Sequence, residues 1–187
     1  MPSNSALLKS AVVPGRACGT CTLCCKVFQI DAIEKPAGRW CEHCTPGRGC
    51  GIYDARPEQC RDFFCLWMTE ATMPAEWKPE RSKMVVTIFP ENGFIYVQVD
   101  PGSPQAWRRE PYHSQLRRWA ADNLSKGVHV LVFVNDVATL IMPSQDLPLG
   151  PMKPTDGFSV RQKMGPSGIE YEVARESRQA SIKPLQN

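Results

Sequence analysis

Outside residues 18–65 the sequence has no cysteine at all, although nine fall inside that window. It also lacks a long apolar run. The most apolar stretch, Val128 to Met142, is broken by Asn135-Asp136 and falls short of the roughly 20 apolar residues a membrane-spanning helix needs. Charge of one sign is not in surplus either: 22 Lys and Arg stand against 19 Asp and Glu, a net charge of +3. Basic residues are scattered among acidic ones, as in Arg61-Asp62 and Glu80-Arg81. A nucleic-acid binder needs a more basic, clustered patch, so no nucleic-acid partner is expected. The opening segment MPSNSALLKSAVVPGRAC has no basic residue ahead of its apolar stretch, and Lys9 interrupts that stretch. It does not read as a secretory signal. The expectation is a cytoplasmic protein with no membrane partner. Missing too are an internal repeat, a P-loop, a catalytic triad, paired catalytic carboxylates and a G-x-G-x-x-G behind a strand. Gly47-Arg48-Gly49 reads as a turn, and no catalytic residue is assigned.

What the chain does have is clustered thiols. In a reducing compartment clustered cysteines are metal ligands or redox groups rather than standing disulfides, and an odd count argues against full pairing. Between Cys18 and Cys65 apolar residues are thin: Val27, Phe28, Ile30, Ile33, Trp40, Ile52, Tyr53, Phe63 and Phe64. Such a segment buries too little surface to fold unaided. Metal–thiolate bonds supply what is missing, because metal-binding free energy becomes folding free energy. The composition shift divides the chain into a flexible N-terminus (1–15), a Cys-rich metal-binding module (16–70), a connector (71–82), an α+β sheet-containing part (83–176) and a flexible tail (177–187).

The expected fold class is α+β: a metal-nucleated N-terminal module with a short helix, then an antiparallel hairpin-rich sheet with one main helix. In the module, Asp54 is a candidate N-cap and Pro57 fits a first turn, so one helix is expected from Asp54 through Cys60 to near Cys65. The Pro- and charge-rich stretch Met73 to Glu80 reads as the connector. Met84–Phe89 and Phe94–Val99 flank Pro90-Glu91-Asn92-Gly93 as a hairpin. Tyr112, Leu116, Trp119, Ala120 and Leu124 recur at helical spacing, with Gly127 as the stop. Val128–Val134 and Val137–Met142 form a second hairpin, and Phe158–Met164 with Ile169–Ala174 a third.

Three blocks carry the chemistry. Cys18-Gly-Thr-Cys21-Thr-Leu-Cys24-Cys25 repeats the C-x-x-C step, which puts two sulfurs around one tight turn within reach of one metal. Its first three cysteines match the start of a bacterial ferredoxin run, without the Cys-Pro that usually completes it. Neighbouring side chains diverge, so Cys24 and Cys25 are expected to serve different metals, unless one is not a ligand. Cys41-Glu-His-Cys44 is a second C-x-x-C, and Cys50, Cys60 and Cys65 form the third block. Any one thiol, such as Cys41 or Cys44, can stand outside the ligand set. Arg48, Arg56 and Arg61 are placed to offset the charge near −2 of a zinc tetrathiolate, or to serve as ordinary surface cations. Tyr53 and Arg56 line a pocket beside the metal, or else Tyr53 packs on the cluster and Arg56 caps a carboxylate. His43 is left out of the ligand set, and His113 and His129 read as structural.

CGTCTLCC followed by GCGIYDARPEQCRDFFC resembles the CxxCxxCC family, described as zinc- or iron-chelating proteins. Cys18, Cys21, Cys24 and Cys25 fit the first half of its pattern. Gly49, Cys50, Ile52, Tyr53, Arg56, Pro57, Cys60, Arg61 and Phe63 fit the second. The resemblance covers about residues 16 to 67 and leaves the sheet-rich half outside. It implies a metal ion as partner, zinc or iron, structural or carried as cargo. A related branch, the flagellin lysine N-methylases, implies an alternative: a [4Fe-4S] enzyme of methyl transfer, although this chain looks too short to match that branch along its length. A third reading is a thiol redox switch, for which no thioredoxin-like βαβ context is visible.

Overall fold

The computed structural model describes residues 12–166 and 168–175. The expected flexible N-terminus lies outside them up to residue 11, and the expected tail over 177–187 lies outside them entirely. The fold is α+β. Its centre is a five-stranded sheet of β3 (Met84–Ile88), β4 (Ile95–Val99), β5 (Val130–Val134), β6 (Val137–Ile141) and β7 (Asp146–Pro151), side by side in that order. β3 and β4 form the expected hairpin, in register from Met84↔Val99 to Ile88↔Ile95. β5 and β6 form the second, turning on Asn135 at φ 55, a left-handed conformation that Asn tolerates. The third hairpin, β8 (Phe158–Gly165) with β9 (Gly168–Arg175), stands as a separate two-stranded sheet. Ser167 in its turn lies outside the described residues.

Two features depart from the expected antiparallel sheet. β4 and β5 run parallel, with Ile95 opposite Val130 and Val99 opposite Val134. Parallel neighbours need a long crossover, and α5 (Tyr112–Leu124) supplies it. β7 was not anticipated. Pro148, Gly150 and Pro151 disguise it, but it lies at the sheet edge with a register shift at Ala138/Thr139, where proline is tolerated.

The core has two faces because strand side chains alternate. Val130 and Val132 join Leu116 and Ala120 of α5 on one side. Leu131 and Phe133 join Leu149, Met152 and Tyr171 on the other. β5 is buried on both faces, which is why it reads as the unbroken run Val-Leu-Val-Phe-Val. The stretch expected as a connector is built into the first face. Met73 and Trp77 are 3% and 2% exposed. The Trp77 ring lies 4.7 Å from Trp119 and 5.0 Å from Tyr112, the latter edge-on. Its backbone forms a 3₁₀ turn, Ala75–Trp77, and a short helix, Pro79–Ser82.

His113 and His129 both occupy structural positions. Nε2 of His113 lies 2.9 Å from an Asp146 carboxylate oxygen and so ties α5 to β7. His129 sits against the rings of Phe94 and Phe158, 5.0 and 5.4 Å away. Burial pushes the His129 imidazole below its ordinary value of 6.5. A lowered folded value means the neutral ring is preferred in the fold, so its stability contribution is complete above the ordinary value and is lost as pH falls below it. Unfolding midpoints are expected to drop between about pH 7 and about pH 5, and His129→Phe should flatten that part of the profile. An unchanged slope in the variant would remove His129 as the cause.

Candidate metal centre

The cysteine window is held closed by its two ends. Val13 N donates to Met68 O at 2.9 Å. The Arg16 guanidinium donates to the carbonyls of Trp67, Glu70, Ala71 and Met73 and lies 5.0 Å over the Trp67 ring. Five N–H donors in a planar fork suit this multiple capture. The clamp brings Cys18 and Cys65 into one neighbourhood although 47 positions separate them. Leu23, Val27, Phe28 and Phe63 then pack on Val85 of β3, seating the module against the sheet. Lys26 pairs with Asp100 beside this contact. Gly38 marks a second approach: it has φ +76, and a Cβ there would stand 2.9 Å from Asn135 Oδ1.

Within this frame each thiol is placed by a short local element. A turn with Cys21 N donating to Cys18 O at 2.8 Å sets the first pair. α1 (Cys24–Val27) begins with Cys24 and Cys25. Cys41 N donates to Cys25 O, and the two-residue strands Cys44–Thr45 and Gly49–Cys50 pair Cys44 with Cys50. The single helix expected from Asp54 to Cys65 is replaced by three pieces. They are a 3₁₀ turn Tyr53–Ala55, the helix Glu58–Arg61 carrying Cys60, and the helix Leu66–Thr69 with Cys65 as its N-cap. Pro57 forces the break, because the residue before proline disfavours helical backbone and Arg56 accordingly sits at ψ 143.

All nine cysteines are free thiols. Every one except Cys44 lines a single cavity of about 1040 Å³, and Cys44 stands in register with Cys50, which does. The thiols fall into two neighbourhoods by mutual influence. Cys65 feels Cys18 and Cys21. Cys60 feels Cys25, Cys41 and Cys50. Cys25 is the hub: Cys24 and Cys44 both act on its thiol, and it is felt at Cys18 and Cys60. Cys24 and Cys25 open the same short helix, and Cys24 acts directly on the Cys25 thiol.

Crowding and burial favour the protonated thiol at Cys18, Cys21, Cys25, Cys44, Cys60 and Cys65. The hydrogen bond from Cys24, then burial, pushes the Cys25 thiol far up. Burial and then Cys25 raise Cys44 to about 12. Burial raises Cys65 to about 11 against hydrogen bonds from the Met68 and Trp67 backbone. Burial is the main cause at Cys18, Cys21 and Cys60 as well. A metal binding here must displace protons, so its affinity falls as pH is lowered.

The cations are distributed differently from expectation. Arg56 lies 3.6 Å over the Tyr53 ring and donates Nε to Tyr53 O, instead of capping a carboxylate. Its charge opposes the upward shifts of Cys18 and Cys60. Tyr53 is 53% exposed, at the mouth of the site and not packed under it. Arg48 and Arg61 are exposed. His43 lines the cavity and lies 3.4 Å from Glu42. Sequence reasoning missed Lys35, a buried lysine at 5% exposure. Burial pulls its ammonium below the ordinary value, while Cys41, Cys25, Cys24 and Cys60 act in the opposite direction.

Among the described residues, no three Cys, His, Asp or Glu side chains stand already closed as a metal cage. The thiols surround a shared space. By chemistry the donor set fits zinc or iron, since soft thiolates select those metals. No protein-family model, curated protein or solved structure matches the chain.

Proposed function

We propose that this chain binds zinc or iron through cysteine thiolates, the metal serving as a structural ion or as cargo handed on. The observation that carries this reading is the gathering of free thiols from three separate sequence blocks around one cavity. Gathering that many partly buried thiols around one space adds little to an apolar core, whereas deprotonated and metal-bound they would give the sparse module its folding energy. Cys18, Cys21 and Cys65 would hold metal on one side. Cys24, Cys25, Cys41, Cys44, Cys50 and Cys60 supply the ligands on the other. Membership of the CxxCxxCC family belongs to the same proposal, as does a cytoplasmic location, to which free thiols are suited. No helix among the described residues is long and apolar enough to cross a membrane.

Elemental analysis of protein purified with and without air is the test. Zinc or iron bound in a fixed ratio to protein is the expected result. A metal-free protein whose N-terminal module is nonetheless folded would overturn the reading. The C-x-x-C-x-x-C run also supports an iron–sulfur cluster in place of a single ion. Anaerobic protein that is colourless and free of iron and sulfide would exclude that version and leave zinc.

A further inference from the structure

Lys35 is the one buried lysine in the module, and its surroundings are unusual. Its ammonium donates to Lys26 O at 2.8 Å and to Phe28 O, two carbonyls at the closing end of α1. The backbone beneath it is pinned by the reciprocal bridge with Ile30, with N–O distances of 2.9 and 3.0 Å. An ammonium has three donors, and two are used. Among the described residues no carboxylate oxygen lies within ion-pair distance of it. A buried charge without a partner is strongly unfavourable. Lys26 follows Cys25 directly, so the bond to Lys26 O places the ammonium on the short helix that carries Cys24 and Cys25, and the charges of Cys41, Cys25, Cys24 and Cys60 oppose the downward push of burial on it.

We infer that Lys35 is the fixed counter-cation of the thiolate centre, a positioning residue that binds no metal itself but stabilises the negative charge of the metal–thiolate group around Cys25. This rests on the metal-binding reading. A divalent ion on four thiolates carries a net charge near −2. An ammonium held beside it by α1 offsets part of that charge, and α1 also carries Cys24 and Cys25. Cation and ligands thus share this short helix as their common frame.

The test is zinc affinity, measured by competition with a chelator, for wild type, Lys35→Gln, Lys35→Met and Lys35→Arg. Gln keeps donors for the two carbonyls and loses the charge, Met loses both, and Arg keeps the charge. Outer-sphere partners of metal ligands are worth about 10–100-fold in affinity. The Gln and Met variants are therefore expected to weaken zinc binding alike, by about that factor, with Arg recovering most of the loss. If Gln binds as wild type does while Met is weak, the role is hydrogen bonding alone; if Arg is as weak as Met, restoring the charge does not restore binding; either result overturns the inference. If Gln and Met both match wild type, Lys35 has no role at the centre. If wild type itself takes up no zinc or iron, the metal-binding reading fails and carries this inference down with it. The failures are thus distinguishable.

Discussion

Cys25→Ser is expected to strip the protein of metal on the Cys25 side and to loosen the N-terminal module in the same step. Cys25 is the thiol with the most neighbours of its own kind acting on it or acted on by it: Cys24, Cys44, Cys18 and Cys60. A serine hydroxyl is close in size but is not a thiolate donor at neutral pH, so the loss is chemical and not steric. It should exceed the ~10–100-fold that removal of an outer-sphere partner costs, because a direct bond is lost and folding is coupled to binding. Cys21→Ser is the comparison, since Cys21 is grouped with Cys18 and Cys65. It should remove metal from that side and leave the Cys25 side loaded. Metal content per chain and protease susceptibility of residues 12–70 report both effects. Full metal content together with a wild-type melting temperature in Cys25→Ser would show that Cys25 is not a ligand. Equal loss in both variants would mean that the nine thiols act as one centre.

Trp77→Ala is expected to destabilise the protein by about 3–5 kcal/mol, the usual cost of deleting a buried aromatic. Trp77 is almost fully buried, between Trp119 and Tyr112 of α5 and the Met84–Val86 end of β3. The indole thereby joins the end of the cysteine module to the crossover helix. For a chain of this size the change should lower the melting temperature on the order of 10 °C. Chemical unfolding followed by circular dichroism measures it. A loss below about 1 kcal/mol would mean that the stretch over 71–82 is the loose connector its composition implies, and not a core element.

Expectation and structure agree wherever a local signal is strong and nothing distant competes with it. Asn135-Asp136 lies between two β-branched runs, and the hairpin forms there. Leu116, Ala120 and Leu124 repeat at helical spacing, and α5 spans Tyr112–Leu124. The disagreements arise where a distant partner decides the outcome. Pro148 and Pro151 argue against a strand, yet Val137 to Ile141 offers them an edge to pair with. Proline and charge around Trp77 argue for a linker, yet an aromatic pocket sits opposite. Asp54 and Pro57 resemble a helix start, but the backbone turns three times so that Tyr53, Cys60 and Cys65 can each meet the cavity.

For the candidate site the division is similar. Thiol number, the C-x-x-C steps and the confinement of all cysteine to residues 18–65 are properties of the chain alone. They point to metal because sulfur chemistry and turn-length reach are local matters. Which thiols are neighbours is not local. Cys18 meets Cys65 through the Arg16 clamp, and Cys25 meets Cys44 and Cys60 through a fold that crosses long loops. Nor is there any sequence mark on Lys35 to separate it from the other lysines. Its role follows from burial without a carboxylate partner, a property of the packed molecule. Residue chemistry thus set which donors the N-terminal half holds, and long-range packing against β3 set which of its thiols are neighbours and left Lys35 buried.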